Sequence, residues 1–467
     1  MGKISRGLPL PSRMVNASGQ GEGAPIAVIG AGFAGASAAL SLADAGRRVL
    51  LLEAGPLPGG RARSFLDPRS GLELDWGPHL FMRANPAIRE FLERIGASPQ
   101  LRFDRSLDLT YRLADESAPG GLRRERLAFP GRGGVLGALW GLFRWRGPNA
   151  TARISILKGL ARLLRESPPS GAGGETVDRL LAGLGQGEPE RKWFWEPFSR
   201  AVLNVRMEEG SGDLFRRVVA EAFGAGPSGA ALGSPGVPMG PFWGDRACDA
   251  IRRRGGEVRM GAAVRRIRVE GGVVRGVILL GGELLEAARV IAAVPPPALL
   301  GMLPDEIRGL RPWSELSRLK PGPIASVYLW LDRPEPGPAF EAIMNEPWQW
   351  LFRPRYPGEE DTPIALLCGG ADSLAAASRD EMALSAERTA ARIFPGAGIR
   401  RVLVVRERAA TWATGVGEQA WRPAAKTPVE GLILAGDWTA TQLPATCEGA
   451  VRSGIRAAEV ALAPTAV

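Results

Sequence analysis

Cysteine and histidine are scarce in this chain: Cys248, Cys368, Cys447 and a single histidine, His79, among 467 residues. Three widely spaced thiols build neither a disulfide framework nor a metal site, and they fit a reducing compartment. No apolar run nears the roughly 18 residues that a membrane-spanning helix needs. The expectation is therefore a protein that is soluble or bound to one membrane face. The opening stretch, MGKISRGLPLPSRMVNASGQGEGA, lacks the apolar core of a signal peptide, and residues 1–24 are expected to form a loose tail, native or vector-derived. Blocks of like charge are missing as well. The 59 basic residues exceed the 49 acidic ones by ten, yet they are scattered among the acids. That pattern argues against a nucleic-acid footprint and for a basic surface that meets anionic lipid headgroups.

What is present is concentrated near the start. Ala27 to Ala54 reads AVIGAGFAGASAALSLADAGRRVLLLEA: an apolar strand, three glycines in G-x-G-x-x-G spacing (Gly30, Gly32, Gly35), an Ala-rich helix stopping near Gly46, and a second strand ending in Glu53. Gly30 permits the tight turn. Gly32 lets the backbone approach a pyrophosphate, with Phe33 and Ala34 opening the helix, and Gly35 allows helix and strand to pack closely. The Glu53 carboxylate falls where a ribose diol would donate to it, and Ala54 after it argues against a 2′-phosphate, which wants a cation there. Adenosine diphosphate with a free ribose fits, as in FAD or NAD.

Pro58 to Ser64, PGGRARS, adds a second glycine turn with two arginines whose guanidinium groups suit phosphate oxygens. From Glu53 through Gly59, Gly60, Arg61, Ala62, Arg63 and Ser64 the chain resembles the flavoproteins related to monoamine oxidases and phytoene desaturases. In them this segment runs along the pyrophosphate and the flavin. Gly431 to Thr439, GLILAGDWT, followed by LPATCEGAVRSGIRAAEVAL, completes the likeness. In that family the Asp of L-A-G-D-x-T, here Asp437 after Gly436, sits on the ribityl chain. The helix after Leu443, Pro444, Ala445 and Thr446 points its N-terminus at the flavin pyrimidine ring, where a reduced flavin carries negative charge. The strand around Val264 meets the adenine, and Gly77, Pro78 and His79 pass the reactive face of the ring.

The resemblance implies an α/β fold: a Rossmann-type domain holding non-covalent FAD and a discontinuous mixed α+β substrate domain. The FAD-binding segments are expected at 25–83, 242–300 and 429–463, and the substrate segments at 84–241 and 301–428.

Trp195 to Asn204, WEPFSRAVLN, with SGDLFRRVVAEAFGAG after it, is similar to bacterial squalene-associated FAD-dependent desaturases, the hydroxysqualene dehydroxylases of hopanoid pathways. Their loops often carry Asp-Asn before a Gly-x-His step, whereas here Asp75 precedes Trp76, Gly77, Pro78 and His79. The likeness implies a reductive reaction on a C30 allylic alcohol, with water leaving and a hydride arriving from reduced flavin supplied by an unidentified electron donor. His79 is the acid implied by family position, with Glu196 and Asp75 behind it; a lone histidine reads equally as structural. Trp193, Phe194, Phe198, Trp243 and Trp330 are expected to wall the isoprenoid, or to be plain core. Gly134 to Leu164, mixing Trp140, Phe143 and Trp145 with Arg and Lys, reads as a helical pair docking on an anionic membrane, or as ordinary core helices. The expected location is the cytoplasm, peripheral to the inner face of the cell membrane. An oxidative carotenoid-type desaturase and a non-catalytic isoprenoid carrier of the GDP-dissociation-inhibitor kind remain alternatives.

Overall fold

The computed structural model describes residues 23–118, 121–129, 134–166, 174–226, 228–370, 374, 377–412 and 414–464. The expected tail, up to residue 22, lies outside them. The fold is α/β, built around two sheets.

The first sheet is parallel. Its central strand β1 (Ile26–Ile29) lies between β2 (Val49–Leu52) and the strand Arg289–Ala292, flanked by Glu257–Arg259 and Leu432–Leu434. Five strands from three distant parts of the sequence thus align in one layer. Ile26–Ile29, Val49–Leu52 and Leu432–Leu434 are apolar and buried throughout, as strands of a covered parallel sheet are. On one face, α1 (Phe33–Asp44) crosses the C-terminal helix Cys447–Leu462. Alanines and glycines on both helices let them approach: a Cβ at Gly454 would come within 2.1 Å of the Ala34 carbonyl oxygen. The other face is covered by the antiparallel strands Val264–Glu270, Val273–Leu279 and Leu284–Glu286.

The second sheet has seven strands, in the order Ile399–Trp412, Pro321–Leu331, Ile364–Gly369, Trp350–Phe352, Phe340–Met344, Asp108–Ala114, Leu122–Ala128. All neighbours are antiparallel except Phe340–Met344 with Asp108–Ala114. Side chains alternate along a strand, so Pro321–Leu331 serves two cores. Val327, Leu329 and Leu331 meet the helix Arg379–Ile393, whose start is locked by a Ser378/Glu381 capping box. Tyr328 and Trp330 point the other way, into an aromatic core beneath the helices Ala150–Arg165, Val177–Gly183, Glu196–Leu203 and Gly212–Gly224.

Two stretches pack differently from the expected division of the chain. The helix Pro86–Arg94 inserts Ile88, Phe91 and Leu92 into the core of the parallel-sheet layer, beside Phe33 and Trp243. Trp313, Leu316 and Leu319 join the antiparallel strands on its opposite face. Both stretches are amphipathic, and the nearest unfilled apolar surface belonged to the nucleotide side.

Candidate functional site

The glycine turn follows from backbone geometry. Gly30 has φ +99°, and a Cβ there would stand 2.6 Å from the Ala293 carbonyl oxygen; at Gly35 it would overlap the Gly30 oxygen at 1.8 Å. No other residue fits either position. Gly32 differs: among the described residues, its chain neighbours aside, the atom that its would-be Cβ would meet is Gly60 Cα, 3.9 Å away. The second glycine turn lies over the first, held by Gly59 N–H donating to the Ala31 carbonyl at 2.9 Å. Gly32 caps α1 without a side chain, leaving the N–H groups of Phe33, Ala34 and Gly35 with a positive dipole end for an anion. Glu53 stands at the edge of this cradle. Its carboxylate accepts from Ala31 N–H (2.7 Å) and Gly55 N–H (2.9 Å), while its backbone, next to Ala54, carries the Ala262 N–H and so brings up the strand that begins at Val264. A glycine-lined gap over a free helix N-terminus, beside a carboxylate, fits an adenosine diphosphate.

Several expected side-chain roles change here. The Phe33 ring stacks on Trp243 at 3.7 Å inside the core, so only its backbone faces the cradle. Trp243, expected in the substrate wall, is fully buried on the nucleotide side and donates its Nε1–H to the Ala62 carbonyl at 3.0 Å. The arginines are occupied too. Arg61 pairs with Asp437 at 2.6 Å and donates to the Ala410 carbonyl, and Arg63 donates to the Gly60 carbonyl while its guanidinium covers the Trp76 ring at 4.6 Å. They tie the second turn to the last strand and to the Asp75–His79 segment.

Two residues beyond the last strand, Gly436 has φ +149° and donates its N–H to Ser453 Oγ; the Trp438 indole would collide with any Cβ there. Asp437 follows, buried, with Arg61 on one side. Arg422, which sequence reasoning missed, gathers the Asp437, Leu443 and Trp412 carbonyls. A lone arginine in a loop gives no sequence signal, and burial pushes its guanidinium down to about 10. Beyond Leu443, Pro444 and Ala445, Thr446 caps the C-terminal helix through Oγ1 and the Gly449 N–H. Glu448, also missed, uses its carboxylate to cap the helix Pro86–Arg94 at Ala87 and Ile88.

Asp75 and His79 line one small cavity of about 40 Å³ with Pro78, Tyr356 and the Ser234–Pro238 segment. Asp75 Oδ1 accepts from Met239 N–H (2.7 Å) and Ser64 Oγ–H (2.9 Å). Burial nonetheless pushes its carboxyl up to about 7, with Glu73 nearby adding to the effect and the two hydrogen bonds opposing it. His79 goes the opposite way: burial lowers its imidazole below the usual value, as does the charge of Arg61. Burial thus disfavours the charged form of both groups, the imidazolium of His79 and the carboxylate of Asp75. Glu196 is elsewhere. It pairs with Arg200 at 2.9 Å, its side chain 41% exposed, in a separate cleft of about 1320 Å³ whose lining includes none of the glycine-turn residues.

Of the other expected wall residues, Trp193, Phe194 and Trp330 belong to the aromatic core between the helices and the second sheet, and the half-buried Phe198 packs against it with Trp76 and Leu80. Trp330 lies under the Arg401 guanidinium at 4.2 Å. The helical pair is Gly134–Arg144 and Ala150–Arg165. Trp140 and Phe143 are 53% and 72% exposed and stack on each other, but Trp145 is fully buried against Tyr111 and Trp193. Trp145 is therefore core, not docking surface.

Comparison with known proteins gives the same picture. The family model described as flavin containing amine oxidoreductase matches residues 33–462. A hydroxysqualene dehydroxylase from Rhodopseudomonas palustris is 33% identical over 456 residues, covering 93% of this chain and 98% of that protein. A 15-cis-phytoene desaturase from Glycine max is 26% identical, covering 92% of this chain and 78% of that protein. Among solved structures, an oxidoreductase from Methanosarcina mazei superposes with a TM-score of 0.73 at 18% identity, over 93% of this chain and all of that one.

Proposed function

Because the chain belongs to the flavin containing amine oxidoreductase family, and within it to the hydroxysqualene dehydroxylases, we propose that it reductively removes the hydroxyl of hydroxysqualene to yield squalene. It is an FAD-dependent oxidoreductase. The observation carrying the substrate is the end-to-end likeness to a hydroxysqualene dehydroxylase; the likeness to phytoene desaturase is lower and covers less of that protein.

The residues that would hold FAD are those of the cradle: Gly30, Gly32, Gly35 and Gly60 at the pyrophosphate, Glu53 at the ribose, and Asp437 with the N-terminus of the C-terminal helix at the flavin end. When bound and reduced, FAD supplies a hydride. The protein's own part is to exclude water around the polyene with its aromatic core, to neutralise the departing hydroxyl with a proton, and to cradle negative charge with the two helix N-termini. Cys447 opens the C-terminal helix, but burial pushes its thiol up to about 12. A thiol held protonated is a poor nucleophile, so acid precipitation should release the whole chromophore. Anaerobic incubation of the photoreduced protein with hydroxysqualene tests the reading. Squalene formed in one equivalent per flavin supports it, and reduced flavin with unchanged alcohol overturns it.

The substrate is a water-insoluble isoprenoid, and the Gly134–Arg144/Ala150–Arg165 pair supplies a surface for reaching it at the inner face of an anionic membrane. Leu139, Trp140, Phe143, Ile154 and Leu164 are exposed there, with Arg144, Lys158, Arg162 and Arg165 among them. Among the described residues no helix is long and apolar enough to cross a membrane, so docking of this kind is interfacial. Each cation near an anionic leaflet contributes about 1 kcal/mol and each large apolar side chain buried about 1.5–3 kcal/mol. Trp140→Ser with Phe143→Ser is therefore expected to weaken flotation with phosphatidylserine vesicles on the order of a hundredfold. Binding of wild type and double variant in equal measure would move the docking face elsewhere.

A further inference from the structure

The cavity at Asp75 has features that the flavin motifs do not account for. Its volume of about 40 Å³ admits a hydroxyl or a water, for which roughly 10–15 Å³ is enough. Two of its lining residues, His79 and Tyr356, each carry a buried polar atom, Nδ1 and Oη, with no hydrogen-bond partner among the described residues. Buried polar atoms are costly when left without a partner, so two at one cavity mark a place that a hydroxyl or water completes. Asp75 supplies the third side. Its Oδ1 is held by Met239 N–H and Ser64 Oγ–H, and its backbone carbonyl accepts from Tyr328 Oη at 2.7 Å. The segment is thereby anchored to the second sheet as well as to the Arg63-bearing turn.

We infer that this cavity receives the substrate's hydroxyl group, with Tyr356 and His79 holding the oxygen and Asp75 protonating it as it leaves. This rests on the dehydroxylation reading above. The C–O bond breaks with its electron pair going to oxygen, the Asp75 carboxyl proton forms the new O–H bond, and water is left between Tyr356 and His79. The allylic carbon, now cationic, takes two electrons and a hydrogen as the hydride that reduced FAD supplies. Asp75, left as carboxylate, regains a proton from solvent. The neutral imidazole accepts or donates one hydrogen bond to the oxygen, and Tyr356, whose phenol burial keeps protonated, donates the other. The groups that bear on the Asp75 proton are Glu73 on its own strand, Tyr328 from the second sheet, and His79, Arg353, Arg355 and Tyr356 around the cavity. Arg353 is engaged by Glu341 and by the Glu335 and Pro338 carbonyls.

The test is single-turnover squalene formation by photoreduced, FAD-loaded protein as a function of pH, with melting temperature as a second readout that needs no turnover. Asp75 titrates about 7 in the folded chain against 3.8 ordinarily. Because the folded value lies above the unfolded one, the stability that the protonated carboxyl contributes is complete below about pH 4, is lost progressively as pH rises to about 7, and changes no further above that. Wild type should lose rate as pH rises through about 7, while its melting temperature falls between about pH 4 and pH 7 and levels off above. Asp75→Asn should lower the rate on the order of 10²–10⁴-fold and abolish both breaks while keeping flavin occupancy. Tyr356→Phe should keep both breaks but slow turnover about tenfold, the loss of one hydrogen bond of roughly 1.4 kcal/mol. A wild type that makes squalene with no rate break near neutrality, or a Tyr356→Phe protein as fast as wild type, overturns the assignment and leaves the dehydroxylation reading intact. A wild type that makes no squalene overturns that reading itself, whatever the melting curves show.

Discussion

Gly32→Val is expected to give a chain that folds but stays colourless. Gly32 has φ −79° and ψ 178°, extended backbone in which valine is at ease. Its would-be Cβ meets Gly60 Cα at an ordinary 3.9 Å. The protein's own packing therefore accommodates the branch. What the isopropyl group fills is the gap above the α1 N-terminus, where phosphate oxygens would take the free N–H groups. Charge-assisted hydrogen bonds contribute about 1.5–3 kcal/mol each, so losing two weakens FAD binding on the order of 10²–10⁴-fold. Titration of FAD into the flavin-free protein reads the affinity, and thermal melting without FAD checks the fold. Wild-type affinity in the variant would refute the cradle. Gly35→Val is the contrasting case: a Cβ lying 1.8 Å from the Gly30 oxygen breaks the turn itself, and that variant should not fold.

The largest stability loss is expected at Glu341. This carboxylate, its side chain 1% exposed, lies between Arg112 at 2.9 Å and Arg353 at 2.7 Å. Arg112, equally buried, also donates to the Ile393 carbonyl and stacks on Phe394. The cluster joins the one parallel pair of strands in the second sheet to the helix Arg379–Ile393. Glu341→Ala leaves a buried guanidinium without its counter-charge, at a cost of about 3–5 kcal/mol, a large share of the roughly 5–15 kcal/mol that keeps a domain folded. Denaturant midpoints measure it. Surface pairs such as Arg456–Glu459, with side chains 68% and 57% exposed, should give almost nothing on the same treatment. A Glu341→Ala protein as stable as wild type would show that water reaches the cluster and screens it.

The features legible in the sequence were those that local chain geometry enforces. The strand, glycine turn, helix and second strand of residues 26–53 follow from spacing, because φ above zero at Gly30 and the missing Cβ at Gly35 are requirements within a few residues. The same holds for the buried strand Leu432–Leu434 before Gly436. Tertiary packing decided the rest. Trp140 and Trp145 lie five residues apart with similar neighbours, yet one is exposed and the other fully buried. Trp243 went to the nucleotide side since Phe33, more than two hundred residues earlier, presents a flat face to it. Asp75 and Glu196 are both carboxylates beside tryptophan. Only the fold puts one where burial holds its proton near neutrality and the other on an open helix face with Arg200. Tyr356 carried no signal at all, because a hydroxyl without a partner exists only once remote segments close around it. Spacing along the chain sets backbone conformation, whereas the charge state and exposure of a side chain depend on which distant surfaces exclude water from it.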